Sequence, residues 1–244
     1  MDGAELASHY AYPPNRRGYC GTRGFCQTLL KFQSGKTGPD ALRAELARFP
    51  AHHAYLSLIA RENGLGPFDT DVVRAFWTGN RLLESVRASA LRRFIEKDLL
   101  KGKQIARARR LCGNLPEGIL PHHSFNVLYV NFVSNAVPRS VRNFDSCCIT
   151  SGKVISLEAG KATLLRRSIA YDGGFVIRER VSKASLERGG MRFVSGLKKG
   201  DAVSVHWGMI IEKLGRNDAR LLDEYTLKNM RAINDSAGRK RLII

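Results

Sequence analysis

Two cysteines stand side by side in DSCCITSGKV, residues 145–154, and a histidine stands in AVSVHWGMII, residues 202–211. A thiolate is a soft metal ligand, and an imidazole is a common partner for it. Cys147, Cys148 and His206 therefore form one constellation to weigh, although a lone histidine on a strand is usually just a satisfied polar residue. Successive side chains of a strand point to opposite faces. With Cys147 and Cys148 read as the start of a strand, the pair must divide the work. One is expected inward as a structural thiol and the other facing out. A second constellation is Cys20 in GYCG with His122 in PHHSF. A thiol made nucleophilic by an imidazole is the chemistry of a cysteine-dependent hydrolase. His122 and His123 are read as opening a strand, so at most one of them joins any site. Cys20 and Cys26 have five residues between them, a weak metal spacing. The third constellation is the run KGKQIARARR, residues 101–110, with Lys101, Lys103, Arg107, Arg109 and Arg110. It is a solvated helix face or a nucleic-acid-binding patch.

The whole chain bounds these readings. It has 244 residues and a formal net charge of +18, which favours acidic partners such as nucleic acid. No zinc-finger spacing and no aromatic RNA-binding strands accompany the charge. Five cysteines at irregular spacing do not form a disulfide framework, so reduced thiols are expected. No apolar run approaches the roughly 20 residues that span a bilayer, and the N-terminus shows no secretory signal. A cytoplasmic protein is the expectation.

The positioning elements change character along the chain. The first forty residues are rich in Gly, Pro and Asn and read as loop, with a short helix at each end. Helices are expected from Pro39 to Pro50 and over 51–63. A long helical face follows at Val72, Phe76, Gly79, Leu83, Val86, Ala90 and Phe94. After Pro121 the segment HHSFNVLYVNFV has strand composition. From Cys147 the pattern is strands separated by turns at Ala159-Gly160, Gly173-Gly174 and Lys199-Gly200-Asp201. A last helix carries Ala219, Leu222, Thr226, Met230 and Ile233 on one face. The expected fold is α+β. A helical domain with a loop-rich start (1–120) and a strand with connector (121–146) precede a small OB-like β-barrel with a terminal helix (147–235). A basic tail (236–244) follows.

CCITSGKV and GDAVSVHWGMIIEKL, followed by a helix, resemble the HypC-type hydrogenase maturation chaperones. Gly152, Lys153 and Val154 match one family motif. Gly200, Asp201, Val203, Val205, His206 and Gly208 match the other. The resemblance covers about residues 147–233 and implies a HypC-like barrel. It also implies an iron centre bearing cyanide and carbonyl ligands, held through Cys147 near His206 at one edge of the barrel, with the Cys147 sulfur accessible and Cys148 inward as a structural thiol. The partners it implies are a hydrogenase maturation protein and a nickel–iron hydrogenase large subunit. Ser151 stands where that family has proline, and Cys147 is internal rather than terminal. The Cys20-then-His122 order resembles papain-like hydrolases, without their flanking residues. The whole chain also looks similar to an uncharacterised archaeal and bacterial family. The leading expectation is a non-enzymatic accessory protein of hydrogenase maturation. The alternatives are a basic nucleic-acid-associated protein and a cysteine hydrolase.

Overall fold

A computed structural model of the chain describes residues 1–100, 104–131, 138 and 140–238. The N-terminal half is helical: α1 (Gly3–Asn15), α2 (Phe25–Gln33), α3 (Pro39–Ala47), α4 (Pro50–Asn63) and α5 (Thr70–Trp77). A 3-10 turn (Arg81–Ser85) leads to α6 (Ala88–Phe94), which continues as π-helix through Ile95–Leu99, and then to α7 (Ile105–Gly113). The long helix expected across 72–94 is broken at Gly79. That residue has φ +86, and a Cβ there would lie 2.5 Å from the Tyr225 ring. The apolar stripe survives the break, because Val72, Phe76, Leu83, Val86, Ala90 and Phe94 are all buried.

The N-terminus departs from the loop expectation. Prolines 13 and 14 sit inside the last turn of α1, a 13-residue helix buried along most of its length. A proline has no N–H to give the carbonyl four residues back. Pro14 therefore leaves the Tyr10 carbonyl without a helical donor, and the fold uses that vacant acceptor.

Where the strand was expected at HHSFNVLYVNFV, residues 123–131 are helical, and 132–133 lie outside the described residues. His123–Phe125 (α8) forms a turn that runs on as π-helix through Asn126–Val130. Its β-branched and aromatic residues were the strand signal. Phe125, Val127, Leu128 and Val130 are instead buried in a helical core, where packing overrides propensity. The short helix α9 (Val141–Cys147) follows, started by the Ser140 side chain accepting from the Asn143 N–H at 3.1 Å.

The sheet then builds as its turns dictate: β1 (Thr150–Glu158), β2 (Lys161–Tyr171), β3 (Phe175–Ser185), a small hairpin of β4 (Glu187–Arg188) and β5 (Met191–Arg192), β6 (Ala202–His206) and β7 (Met209–Leu214). The main sheet runs β1-β2-β3-β7-β6, and β1 pairs back with β6. The link from β3 to β7 is a single parallel bridge, Ser185 with Met209. The last helix, α10 (Arg216–Gly238), packs on this sheet, with Leu222, Thr226, Met230 and Ile233 buried. The coarse α+β expectation with a five-stranded sheet and a terminal helix stands.

Two cores result. Val154, Ala162, Leu164, Ala184, Leu186, Val203, Val205 and Ile210 fill the inside of the curled sheet. A much larger core runs from Ala4 through the helices to the outer face of the sheet and on to Ile233. Among the described residues no helix is long and apolar enough to cross a membrane.

Candidate metal centre

Helix α9 places Cys147. Its anchor is Asp145, a buried carboxylate. One oxygen accepts the Ile169 N–H at 2.8 Å, and the other takes Arg180 at 2.7 Å together with the buried Arg166. The next carbonyl, Ser146, accepts the Trp207 N–H at 2.7 Å. Cys147 is thus pinned from both sides as the last residue of a helix. This corrects the strand-edge expectation. The thiol is not accessible: the residue is 8% exposed and Cys148 is 1% exposed. The two cysteines lie at a helix end and its cap, so strand alternation does not separate them. Burial pushes the Cys147 thiol up to about 12.

Strand β6 places His206. Val203 and Val205 point into the sheet's own core, whereas Ser204 and His206 point to the helices. Tyr10 meets both of them. Its hydroxyl lies 2.9 Å from Ser204 Oγ and 3.0 Å from Glu212 Oε2, and its carbonyl, freed by Pro14, accepts from His206 Nδ1 at 2.8 Å. A carbonyl only accepts, so Nδ1 carries the proton and Nε2 keeps its lone pair. That Nε2 is buried with no hydrogen-bond partner. Trp207 and Gly208 form the tight turn to β7. Trp207 has φ +51, the one non-glycine among the described residues with positive φ. Such strain persists only where the surroundings enforce it.

The segment before α8 places the histidine pair. Asn229 of α10 clamps it: Nδ2 donates to the Leu120 carbonyl at 3.0 Å and Oδ1 accepts the Leu120 N–H at 2.9 Å. The same Nδ2 donates to Ser124 Oγ at 3.0 Å, and Ser124 Oγ lies 2.8 Å from His122 Nδ1. His122 Nδ1 also accepts the Ser124 N–H at 3.3 Å, so His122 is a helix cap. His123, the next residue, turns the other way. Its ring stands edge-on to His206 with centroids 5.2 Å apart, and its Nδ1 has no partner.

The result is a grouping no single motif announced. One donor atom each from His123, Cys147 and His206 lies within 4.8 Å of the other two. Trp77 lines the site, with its ring 4.7 Å from His123, 5.8 Å from His206 and 5.2 Å from His52. Burial lowers His206 to about 4 and His123 well below the usual imidazole range, the latter helped by repulsion from His206, His122 and His52. The imidazoles are therefore neutral at pH 7, the form that ligates metal. Two imidazoles and a thiol suit a late first-row transition ion.

The other expected residues do not assemble into a site. Cys20 lies in the α1–α2 loop with its backbone exposed and its thiol turned in near Cys147, where burial pushes it up to about 12, and no hydrogen bond joins it to His122. His122 is lowered to about 3 by burial, too weak a base to activate a thiol. Cys26 donates to Asn15 Oδ1 at 3.1 Å. Arg107, Arg109 and Arg110 lie on α7, Arg107 half-buried and the other two exposed, while Lys101 and Lys103 lie outside the described residues. The residues that the sequence reading missed are Tyr10, His52, Trp77 and Asn229. The Pro13-Pro14 pair was the available signal for Tyr10.

Fold and site together define an α+β protein with a cluster of buried histidines and one cysteine where its helices meet its sheet. The chain belongs to DUF6390, a family of unknown function, whose model matches residues 1–240. No curated protein and no solved structure matches it. The family match corrects the HypC resemblance: one other family accounts for the chain from end to end, and no HypC family matches. Local structure explains the shared letters. Gly200 has φ +93, and Asp201 closes its turn by accepting the Lys198 N–H at 2.8 Å and pairing with Lys213 at 2.9 Å. Those are the requirements of a tight turn leading into a strand, which unrelated sheets share.

Proposed function

We propose that this protein holds one late first-row transition-metal ion through His123, Cys147 and His206. The observation that carries the reading is the convergence of three donor atoms within 4.8 Å, two of them on imidazoles with a buried, unpartnered nitrogen. A buried polar atom without a partner costs about 1–3 kcal/mol. A metal ion satisfies such atoms at once. The Tyr10 carbonyl behind His206 is the outer partner that fixes a ligating imidazole's tautomer. Loading the site must expel the Cys147 proton, so uptake strengthens as pH rises. Three protein donors leave at least one position for an exogenous ligand, which suits a protein that holds and releases its metal. The cyanide- and carbonyl-bearing iron centre has no remaining basis once the HypC resemblance is removed.

The test is metal analysis of the purified protein, followed by cobalt(II) titration of protein stripped with chelator. Near-stoichiometric zinc, iron or copper is expected, with a thiolate-to-cobalt absorption band that Cys147→Ser removes. A wild-type protein that carries no metal and shows no such band would overturn the reading.

A further inference from the structure

The surface beside this cluster carries a feature of its own. Helix α1 ends at Asn15, and the loop after it begins with Arg16, Arg17, Gly18 and Tyr19. Tyr19 stacks on Trp207 with ring centroids 4.8 Å apart, and the Arg17 guanidinium lies 5.2 Å from the same indole. The β4–β5 hairpin folds over the same end of α1. Its following residue, Phe193, stacks on His9 at 4.1 Å, and the Tyr12 hydroxyl donates to the Arg188 carbonyl at 2.7 Å. These contacts bring Arg188 in beside the loop. Its Nη1 donates to the Trp207 carbonyl at 3.1 Å. Arg16 packs so closely on the hairpin that a Cβ on Gly189 would lie 2.3 Å from its Nη1.

Arg17 on the Trp207 indole, Arg188 on the Trp207 carbonyl and Arg16 against the hairpin thus lie at one end of α1, and none has an acidic partner. Among the described residues Arg16, Arg17 and Arg188 form no ion pair, as is also true of other arginines such as Arg23 and Arg192. Glu187 precedes Arg188 on a strand and so faces the other way. Burial and then the charges of Arg17 and Arg16 lower the Arg188 pKa, which registers an uncompensated repulsion. Like charges this close are unfavourable unless an anion joins them. Backbone strain at Trp207, whose carbonyl holds Arg188, lies at the same point.

We propose that Arg16, Arg17 and Arg188 form a binding site for a phosphate group, set on the Tyr19–Trp207 stack. Guanidinium forks match phosphate oxygens in pairs, and three of them neutralise a dianion. The site is separate from the basic α7 face, and its ligand is recognised by charge and geometry rather than by metal. Phosphate binding is therefore expected with or without bound metal, which separates this proposal from the one above.

The experiment is calorimetric titration of the full chain with inorganic phosphate, with a nucleoside monophosphate and with a short single-stranded RNA, at constant ionic strength set by chloride. Each titration is run before and after chelator treatment. Saturable binding of at least one of the three is expected. Binding of phosphate and mononucleotide identifies a small-molecule source. Binding confined to RNA, weakening steeply with salt, identifies a nucleic-acid backbone. Arg188→Gln should weaken binding about tenfold or more, the loss of a charged hydrogen-bond donor. Arg17→Gln should do the same, and it touches only the indole face, so it guards against a folding defect in the Arg188 variant. Arg109→Gln on α7 should leave the affinity unchanged. No saturable binding of any of the three ligands, or equal affinity in wild type, Arg17→Gln and Arg188→Gln, would overturn the proposal.

Discussion

The two cores of this protein are built on opposite chemistry. The inside of the curled sheet is filled by aliphatic side chains, with Leu164, Val203 and Ile210 fully buried. Across β6, one residue along, lie Ser204 and His206 and then a crowd of rings: His52, His123, Trp77, Phe76 and Tyr10. Several of their polar atoms are buried without a partner. A core under selection for stability alone resembles the first, since apolar contacts need no partners. The second has given up stability at one place, and that place is where the donor atoms converge. The same strand serves both, because its alternate residues face alternate layers.

Substitutions can break or sharpen this contrast. The largest effect is expected at Asp145, which anchors the cluster side. Asp145→Ala strands the buried Arg166 and should destabilise by about 3–5 kcal/mol, measured by chemical denaturation. Cys147, two residues on, should lose its fixed position as well. Asp145→Ala within 1 kcal/mol of wild type would show the anchor to be incidental.

In the aliphatic core, Leu164→Ala should cost about 2–5 kcal/mol and leave metal content unchanged. In the cluster, His123→Phe should do the reverse. It replaces an unpartnered ring nitrogen with carbon, so metal-free protein should be unchanged or stabilised by about 1 kcal/mol, while metal binding is lost. A His123→Phe protein as damaged as Leu164→Ala would erase the distinction between the cores.

Acid should separate the two regions too. His52 is held at about 3 and His9 at about 4, both by burial. Their folded values lie beneath the unfolded value of about 6.5, so the unfolded chain takes up protons first. Stability is therefore full above about pH 6.5 and declines as pH falls towards 4, by about 1.4 kcal/mol per unit for each such histidine. Melting temperatures at pH 7.5, 6 and 5 should fall steeply. Leu164→Ala should lower the whole curve without changing its slope, and His52→Phe should flatten it.

The smallest effect is expected on the α7 surface. Arg109→Gln with Arg110→Gln changes exposed side chains and should move stability by no more than about 0.5 kcal/mol.

The sequence by itself determined the second half of the fold closely. Strand alternation and glycine turns are local, so β1, β2, β3 and the start of β6 could be read from Gly160, Gly173 and Gly200 with their flanking β-branched residues. It also put Val203 and Val205 on one face and Ser204 and His206 on the other. The turn at Trp207-Gly208 was not legible, because positive φ at a tryptophan is imposed by its surroundings. Where packing outweighs propensity, local reading failed: FNVLYV reads as strand and is helix, and YAYPPN reads as loop and is the end of a buried helix. The candidate site shows the same limit. Cys147 and His206 could be named from their types. That His123 joins them, that His122 is only a cap, and that the Tyr10 carbonyl is vacant and within reach of His206 were decided by tertiary structure. Donor atoms 24 and 59 residues from Cys147 meet only because helices and sheet share one core, and no local rule encodes that meeting.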